Sequence, residues 1–286
     1  MTGIAPLSAY ESVGGPGVTE PPARFRDLVA AEWIKLRSLR STWIAYGATA
    51  LAVISFNAGT AYDTYTYWRE RNTADRARFI ADGIPLQEAF TANAAVIMAL
   101  ALGAMGALAI IGEYSTGTIR TTFTAVPARR WVMAAKAIAV AAVATVFGAF
   151  LAGASFGLTQ AILGGRDAGV PISSPGAPRV VVASALLAPV CALTGLALGT
   201  VIRHTAATMT ASVLVILVLP LVLTDGRHWS AVAGHATPYQ AWLRLVSVGH
   251  SPTVFPWTTG GAWTVYVVWA LAAAMLAVTG VHRRDQ

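Results

Sequence analysis

Six apolar runs of membrane-crossing length divide this chain, near residues 42–62, 91–112, 134–163, 180–202, 205–224 and 262–281. No other feature narrows the fold so far. A hydrocarbon core about 30 Å thick takes about 20 helical residues to cross. Water is absent there, so each run must satisfy its own backbone N–H and C=O groups as a helix. The expected fold class is an all-α polytopic membrane protein, with six transmembrane helices in a single domain over 24–286. Charge agrees with a bilayer: only 12% of the 286 residues are charged, against about 25% in soluble domains. Residues 1–23 are rich in Gly and Pro and read as a disordered tail. They hold no signal-peptide core, which leaves the first span to start insertion.

Between the second and third runs the pattern breaks. Residues 113–136, EYSTGTIRTTFTAVPARRWVMAAK, carry Glu113, Arg120, Arg129, Arg130 and Lys136. An insert of this kind belongs in water or against a soluble partner. It reads as a handle by which another protein moves this one. Gly117 is expected as a helix C-cap and Thr118 as the N-cap of a short helix near 119–124. Pro127 should end that helix. The third span follows, long enough to tilt or protrude.

Ahead of the first span, residues 25–40 have helical periodicity. Phe25, Leu28, Val29, Trp33, Leu36 and Leu39 share one face. Basic charge and Trp33 suit an amphipathic helix lying in the membrane interface. Glu32 falls within the apolar stripe. It is expected to snorkel or to pair with Lys35, or else to pair with an arginine of the 113–136 insert; Glu113 is the other candidate anchor for Arg120. After the first span, Tyr62, Tyr65, Tyr67 and Trp68 read as an interface belt, and 63–88 as a charged loop. In 225–261, Thr237 and Pro238 look like the N-cap and N1 of a short helix ending near Ser247. That helix is too short to span, so it is re-entrant or interfacial. Trp229, Trp242, Trp257 and Trp263 suit an interface.

Six spans put both termini on one side. Twelve Lys and Arg fall on that side and eight on the other. The positive-inside bias assigns the termini and the 113–136 insert to the cytoplasm. The pI near 10.0 then follows from topology, and no nucleic-acid partner is expected.

Chemistry-bearing motifs are sparse. GxxxxGK[ST] does not occur, so ATP is not bound through a P-loop. The five histidines show no i, i+4 spacing, and no metal site is expected. Cys191 is the single cysteine. The segment from Gly153 through Ser155 to Gly157 matches GxSxG, but it lies in an apolar helix where small residues allow close packing, as do Gly195 and Gly199. The cores of spans two to six hold no acid, which argues against ion coupling and assigns the energy supply to a partner. Asn57 in the first span reads as helix–helix glue or a substrate contact. With Met98, Met105 and Phe156 it is a candidate for lining a pathway. Two alternatives are a lipid-acting membrane enzyme, for which Asp225, Arg227 and His228 are the nearest constellation, and a non-transporting scaffold or sensor.

Two segments carry a resemblance: AEWIKLRS at 31–38, and GEYSTGTIR at 112–120 followed by Val126, Pro127, Arg129 and Arg130. The chain resembles the permease subunits of type-2 ABC exporters, in particular the small six-span actinobacterial kind. The resemblance extends in order over roughly 25–284, mostly as hydropathy and spacing outside these segments. It implies that 24–286 is a permease domain in a bacterial cell membrane, with both termini cytoplasmic. It makes the first amphipathic helix, with Glu32, Trp33, Lys35 and Arg37, a connecting helix. It makes the short helix a coupling helix that docks in a separate ABC ATPase. Glu113, Thr118, Ile119, Arg120, Phe123, Pro127, Arg129 and Arg130 would form that coupling segment. The helix starting at Pro238 would be the re-entrant extracellular element. Two permeases, identical or different, would pair with two ATPases. The chain itself would hold no cofactor and catalyse nothing, with ATP and Mg bound in the partner.

Overall fold

The computed structural model describes residues 24–223, 226–248 and 255–280. The expected tail at 1–23, Asp225 and the basic stop at His282, Arg283 and Arg284 lie outside the described residues. Among the described residues every regular element is helical, and six helices are long and apolar enough to cross a membrane.

Helix α1 (Phe25–Ser38) breaks at Leu39, which is extended, and α2 (Arg40–Tyr67) is the first span. A 3-10 turn (Trp68–Glu70) leads to α3 (Thr73–Ala81) and α4 (Ile84–Glu88). Then come α5 (Ala92–Thr116), α6 (Thr118–Ala125), α7 (Arg129–Gly164) and α8 (Ala177–Ile202). The fifth span is composite: α9 (Thr205–Val213), a π-helical segment (Leu214–Val218) and α10 (Leu219–Val222). Helices α11 (His228–His235) and α12 (Pro238–Val246) precede α13 (Thr259–Gly280), the sixth span. At about 1.5 Å per residue α7 is about 54 Å long, well beyond a 30 Å hydrocarbon core, so part of it projects into the aqueous phase or lies strongly tilted.

The packing is centred on α8. In its most apolar stretch 78% of residues are buried, against 22% in the first, fifth and sixth spans. Lipid offers no hydrophobic drive between helices, so close approach of small residues must hold them. A Cβ on Gly195 would lie 1.8 Å from the Gly103 carbonyl oxygen, and one on Gly106 1.9 Å from that of Ala192. Helices α5 and α8 therefore touch backbone to backbone. Gly148 does the same for α7, 2.2 Å from the Ala185 carbonyl oxygen. Gly153 and Gly157 behave otherwise: they are exposed with open space around them, and Ser155 is the one buried residue between them. The packing expectation holds for the Gly195–Gly199 pair and fails within this chain for Gly153 and Gly157.

Three further expectations change. The charged loop at 63–88 is mostly helical. Asn72 caps α3 by accepting from the Asp75 N–H at 2.8 Å, and Pro85 sits in the first turn of α4. Trp68, expected in an interface belt, is buried with Phe79, Ala61, Leu163 and Ala168 in a small second core. The arginines explain the tolerance for charge here: Arg71 lies 4.9 Å from the Phe79 ring centroid and Arg76 5.9 Å from that of Trp68. Trp242, also expected at an interface, is buried against α8 and donates its indole N–H to the Ser184 hydroxyl at 3.0 Å.

The end of α13 returns to the end of α8, with Gly280 beside Thr200 and Val201. Arg203, at the end of α8, stands 5.1 Å from the ring centroid of Tyr114 in α5. The last described turn of α13 therefore lies at the same end of the bundle as α6.

Candidate functional site

The polar insert folds as a helix between two sharp turns. Gly117, with φ +72, takes the left-handed conformation that favours glycine, and it closes α5 and opens α6. Thr118 is therefore the first helical residue and not the N-cap. Its hydroxyl pairs with that of Thr116 at 2.7 Å. At the other end Val126 is extended, as a residue before proline prefers, and Pro127 separates α6 from α7.

One face of α6 is anchored. Ile119 is buried, and Phe123, one turn later, is half-buried under the Arg129 guanidinium, 5.3 Å from its ring centroid. The opposite face, with Thr118, Arg120, Thr121 and Thr124, is exposed. The threonine hydroxyls turn back onto the helix, where Thr121 and Thr122 both donate to the Thr118 carbonyl. Beside α6 lies a cavity of about 410 Å³ to which both faces contribute: Ile119 and Phe123 from the anchored face, Arg120 and Thr124 from the exposed one, with Tyr114, Arg129 and Arg203 opposite. Pro127 and Arg130 are exposed beside it.

Beneath this helix sits a four-membered ion cluster. Glu32 and Lys35 come from α1, Glu113 from the last turn of α5, and Lys136 from the second turn of α7. Lys35 Nζ is 2.7 Å from Glu32 Oε1 and 3.0 Å from Glu113 Oε1. Lys136 Nζ is 2.8 Å from Glu113 Oε1 and also bonds Glu32 Oε2. Charges alternate around the ring and sum to zero. Glu32 and Lys136 are each only 3% exposed. Charges so deeply buried persist only when paired and hydrogen-bonded. Burial alone would lower the Lys35 pKa, but Glu32 and Glu113 together outweigh it and hold the ammonium above its usual 10.5.

The expected pairing of Glu32 with Lys35 is present. The alternative partner was to be an arginine of the insert; the structure supplies Lys136. Glu113 joins the same ring and does not bond Arg120, which is exposed on α6. The cause is helix geometry: Glu113 and Arg120 lie on either side of the Gly117 turn, while Lys136 faces α1 from α7. Glu32 also resets the inner face of α1. Phe25, Leu28, Val29 and Leu36 flank it, while Trp33 and Leu39 turn outward at 40% and 58% exposure. Phe25 stacks edge-on against Trp131 of α7 at 5.3 Å, a second tie between these helices. Arg37 is exposed near the end of α1 and takes no part in the cluster.

Asn57 makes three hydrogen bonds. It donates to the Ser155 hydroxyl at 3.1 Å and accepts from the Thr91 N–H and hydroxyl at 3.0 and 2.8 Å. It thus joins α2, α5 and α7. Met98 shares with it a cavity of about 20 Å³, room for about one water. Met105 lines a separate cleft of about 240 Å³ between α2, α5 and α8. Phe156 packs, half-buried, against the main core.

Sequence reasoning passed over Lys136 as a site residue. The signal was present: a lone lysine seven positions inside a helix otherwise uncharged from Trp131 onward needs a counter-charge.

A sequence profile described as ABC-2 family transporter protein matches residues 28–224, more than half of the chain. No curated protein shows significant similarity to it. The matched region holds most of α1, the ion cluster, α6 and all of the first five spans.

Proposed function

The chain belongs to the ABC-2 family of transporter proteins, and from that premise we propose that it is the permease subunit of an ATP-driven exporter whose ATPase docks on the exposed face of α6. One observation carries the reading. The short helix is held rigidly at both ends, projects from the α5–α7 turn, and stands on an ion cluster tied to three helices. A push on Arg120, Thr121 or Thr124 reaches α5 and α7 through Glu113 and Lys136, and α1 through Glu32. ATP and Mg bind in the partner, since the sequence contains no P-loop. ATP-driven closure of two ATPases would move two α6 helices together and change the exposed side of the space between paired permeases. That change needs two arrangements of different binding energy. In this reading α6 and both termini face the cytoplasm of a bacterial cell, as the Lys and Arg distribution favours.

The test is co-purification with candidate ABC ATPase subunits from the same organism, followed by ATP hydrolysis in proteoliposomes. The complex is expected to hydrolyse ATP at a rate different from the ATPase alone. Arg120→Glu is expected to abolish that difference while the chain still inserts normally. If the two proteins neither associate nor influence each other, the proposal fails.

A further inference from the structure

An elongated groove of about 740 Å³ runs between α1, α2 and α7. It falls within the roughly 300–1,000 Å³ of small-molecule sites. Its wall is aromatic. Tyr46 and Phe147 meet edge to face at 4.6 Å, and Phe150 follows Phe147 at 6.4 Å. The groove opens sideways: Val146 and Trp43 on its rim are 71% and 58% exposed. Both belong to membrane-spanning helices, so the opening faces hydrocarbon. Its mouth lies where α1 ends and α2 begins, at the boundary between polar and apolar surroundings. Arg37 stands there, with Trp33 beside it, 6.0 Å from guanidinium carbon to ring centroid. Trp43 donates its indole N–H to the Arg37 carbonyl at 3.0 Å, fixing the corner.

The charges single out Arg37. On the same helix, Lys35 is held by Glu32 and Glu113, and Arg26 lies beside Asp27. Arg37 makes no ion pair among the described residues, and no carboxylate lines the groove. A long apolar trough ending in an unopposed guanidinium matches one chemistry in a bilayer: an acyl chain carrying an anionic phosphate head. Guanidinium binds phosphate through two parallel N–H donors, and tryptophans commonly flank headgroups. We infer that this groove binds an anionic membrane phospholipid, with one acyl chain along Tyr46, Phe147 and Phe150 and the phosphate on Arg37. The lipid completes the packing of α1 against the first and third spans.

The experiment uses the purified full chain in mixed micelles with equal phosphatidylglycerol and phosphatidylcholine, and counts retained lipids by native mass spectrometry. Wild-type protein is expected to retain phosphatidylglycerol preferentially. Arg37→Gln should weaken that retention roughly fivefold, the effect of about one cation at an anionic surface, and leave phosphatidylcholine unchanged. Arg26→Gln, outside the groove, should change neither. Gly47 lines the groove with open space at its Cβ position, so Gly47→Leu should fill it and lower retention of both lipids. Ala50→Leu on the same wall serves if that variant unfolds. Equal retention in Arg37→Gln and wild type overturns the inference, as does the same loss in Arg26→Gln. A Gly47→Leu variant that keeps its lipid but alters the dimer fraction also overturns it, since the groove is then a contact between copies.

Discussion

Replacing Lys136 with methionine tests how the ion cluster holds the α6 end of the bundle together. The substitution keeps the length of the side chain and removes its charge. It strips Glu113 of a partner at 2.8 Å and leaves Glu32 and Glu113 sharing Lys35 alone. Lys35 is 35% exposed, so water screens its share of the attraction. The remaining cluster carries one excess negative charge at a site where Glu32 is almost wholly buried. Removing one partner of such a buried pair costs about 3–5 kcal/mol, which is on the order of 10 °C in the melting temperature of a chain this size. The double variant Lys136→Met with Glu113→Gln restores neutrality, leaving Glu32 paired with Lys35. It is expected to lose less than the sum of its single changes, by about 1–3 kcal/mol. Thermal unfolding followed by tryptophan fluorescence measures this, and Trp131 on Phe25 reports the α1–α7 junction directly. Additive losses, or a single-variant loss below about 1 kcal/mol, would refute the reasoning.

Other perturbations separate the parts of the structure. Gly106→Val and Gly195→Val place side chains against backbone carbonyls 1.9 and 1.8 Å away; both should cost more than about 3 kcal/mol, read as lost yield of folded protein. Gly153→Ala and Gly157→Ala meet open space; a change between zero and about 1 kcal/mol of stabilisation is expected in thermal unfolding. Gly117→Val forces a branched residue to φ +72 and should cost about 1–2 kcal/mol, read in thermal unfolding; under the proposed docking of an ATPase on α6 it should also reduce ATPase stimulation. Lys35 has its folded pKa above its unfolded value near 10.4, so its charge stabilises fully below that pH. The contribution should vanish as pH rises through the folded value above 10.5. A melting-temperature titration from pH 9 to 12 should show this step in wild type and lose it in Lys35→Met.

Much of this molecule was legible in its sequence. Partition into a bilayer depends on the summed hydropathy of about twenty consecutive residues, a local quantity. The six spans and the polar insert could therefore be read directly. The stops at Gly117 and Pro127 were readable for the same reason, since a left-handed turn and a missing N–H act on their immediate neighbours. Thr118 was misplaced by one residue because Gly117 closes one helix and opens the next without an intervening cap.

Partnerships were not legible. Glu32 had several basic residues within reach on paper, and nothing local could choose Lys136, 104 residues away. Nor could composition tell that Gly195 meets a backbone while Gly153 meets open space, or that Trp242 is buried while Trp229 is exposed. The charged stretch after the first span looked like a loop because its helices are short and depend on Trp68 and Phe79 finding a shared pocket. Sequence alone determined which segments enter the membrane and where the chain turns, because hydropathy and backbone stereochemistry act over a few residues. The tertiary structure decided which charges neutralise one another and which helix faces touch. Those outcomes depend on how distant segments are rotated and set in register, and a rotation of one residue, about 100° on a helix, exchanges one set of partners for another.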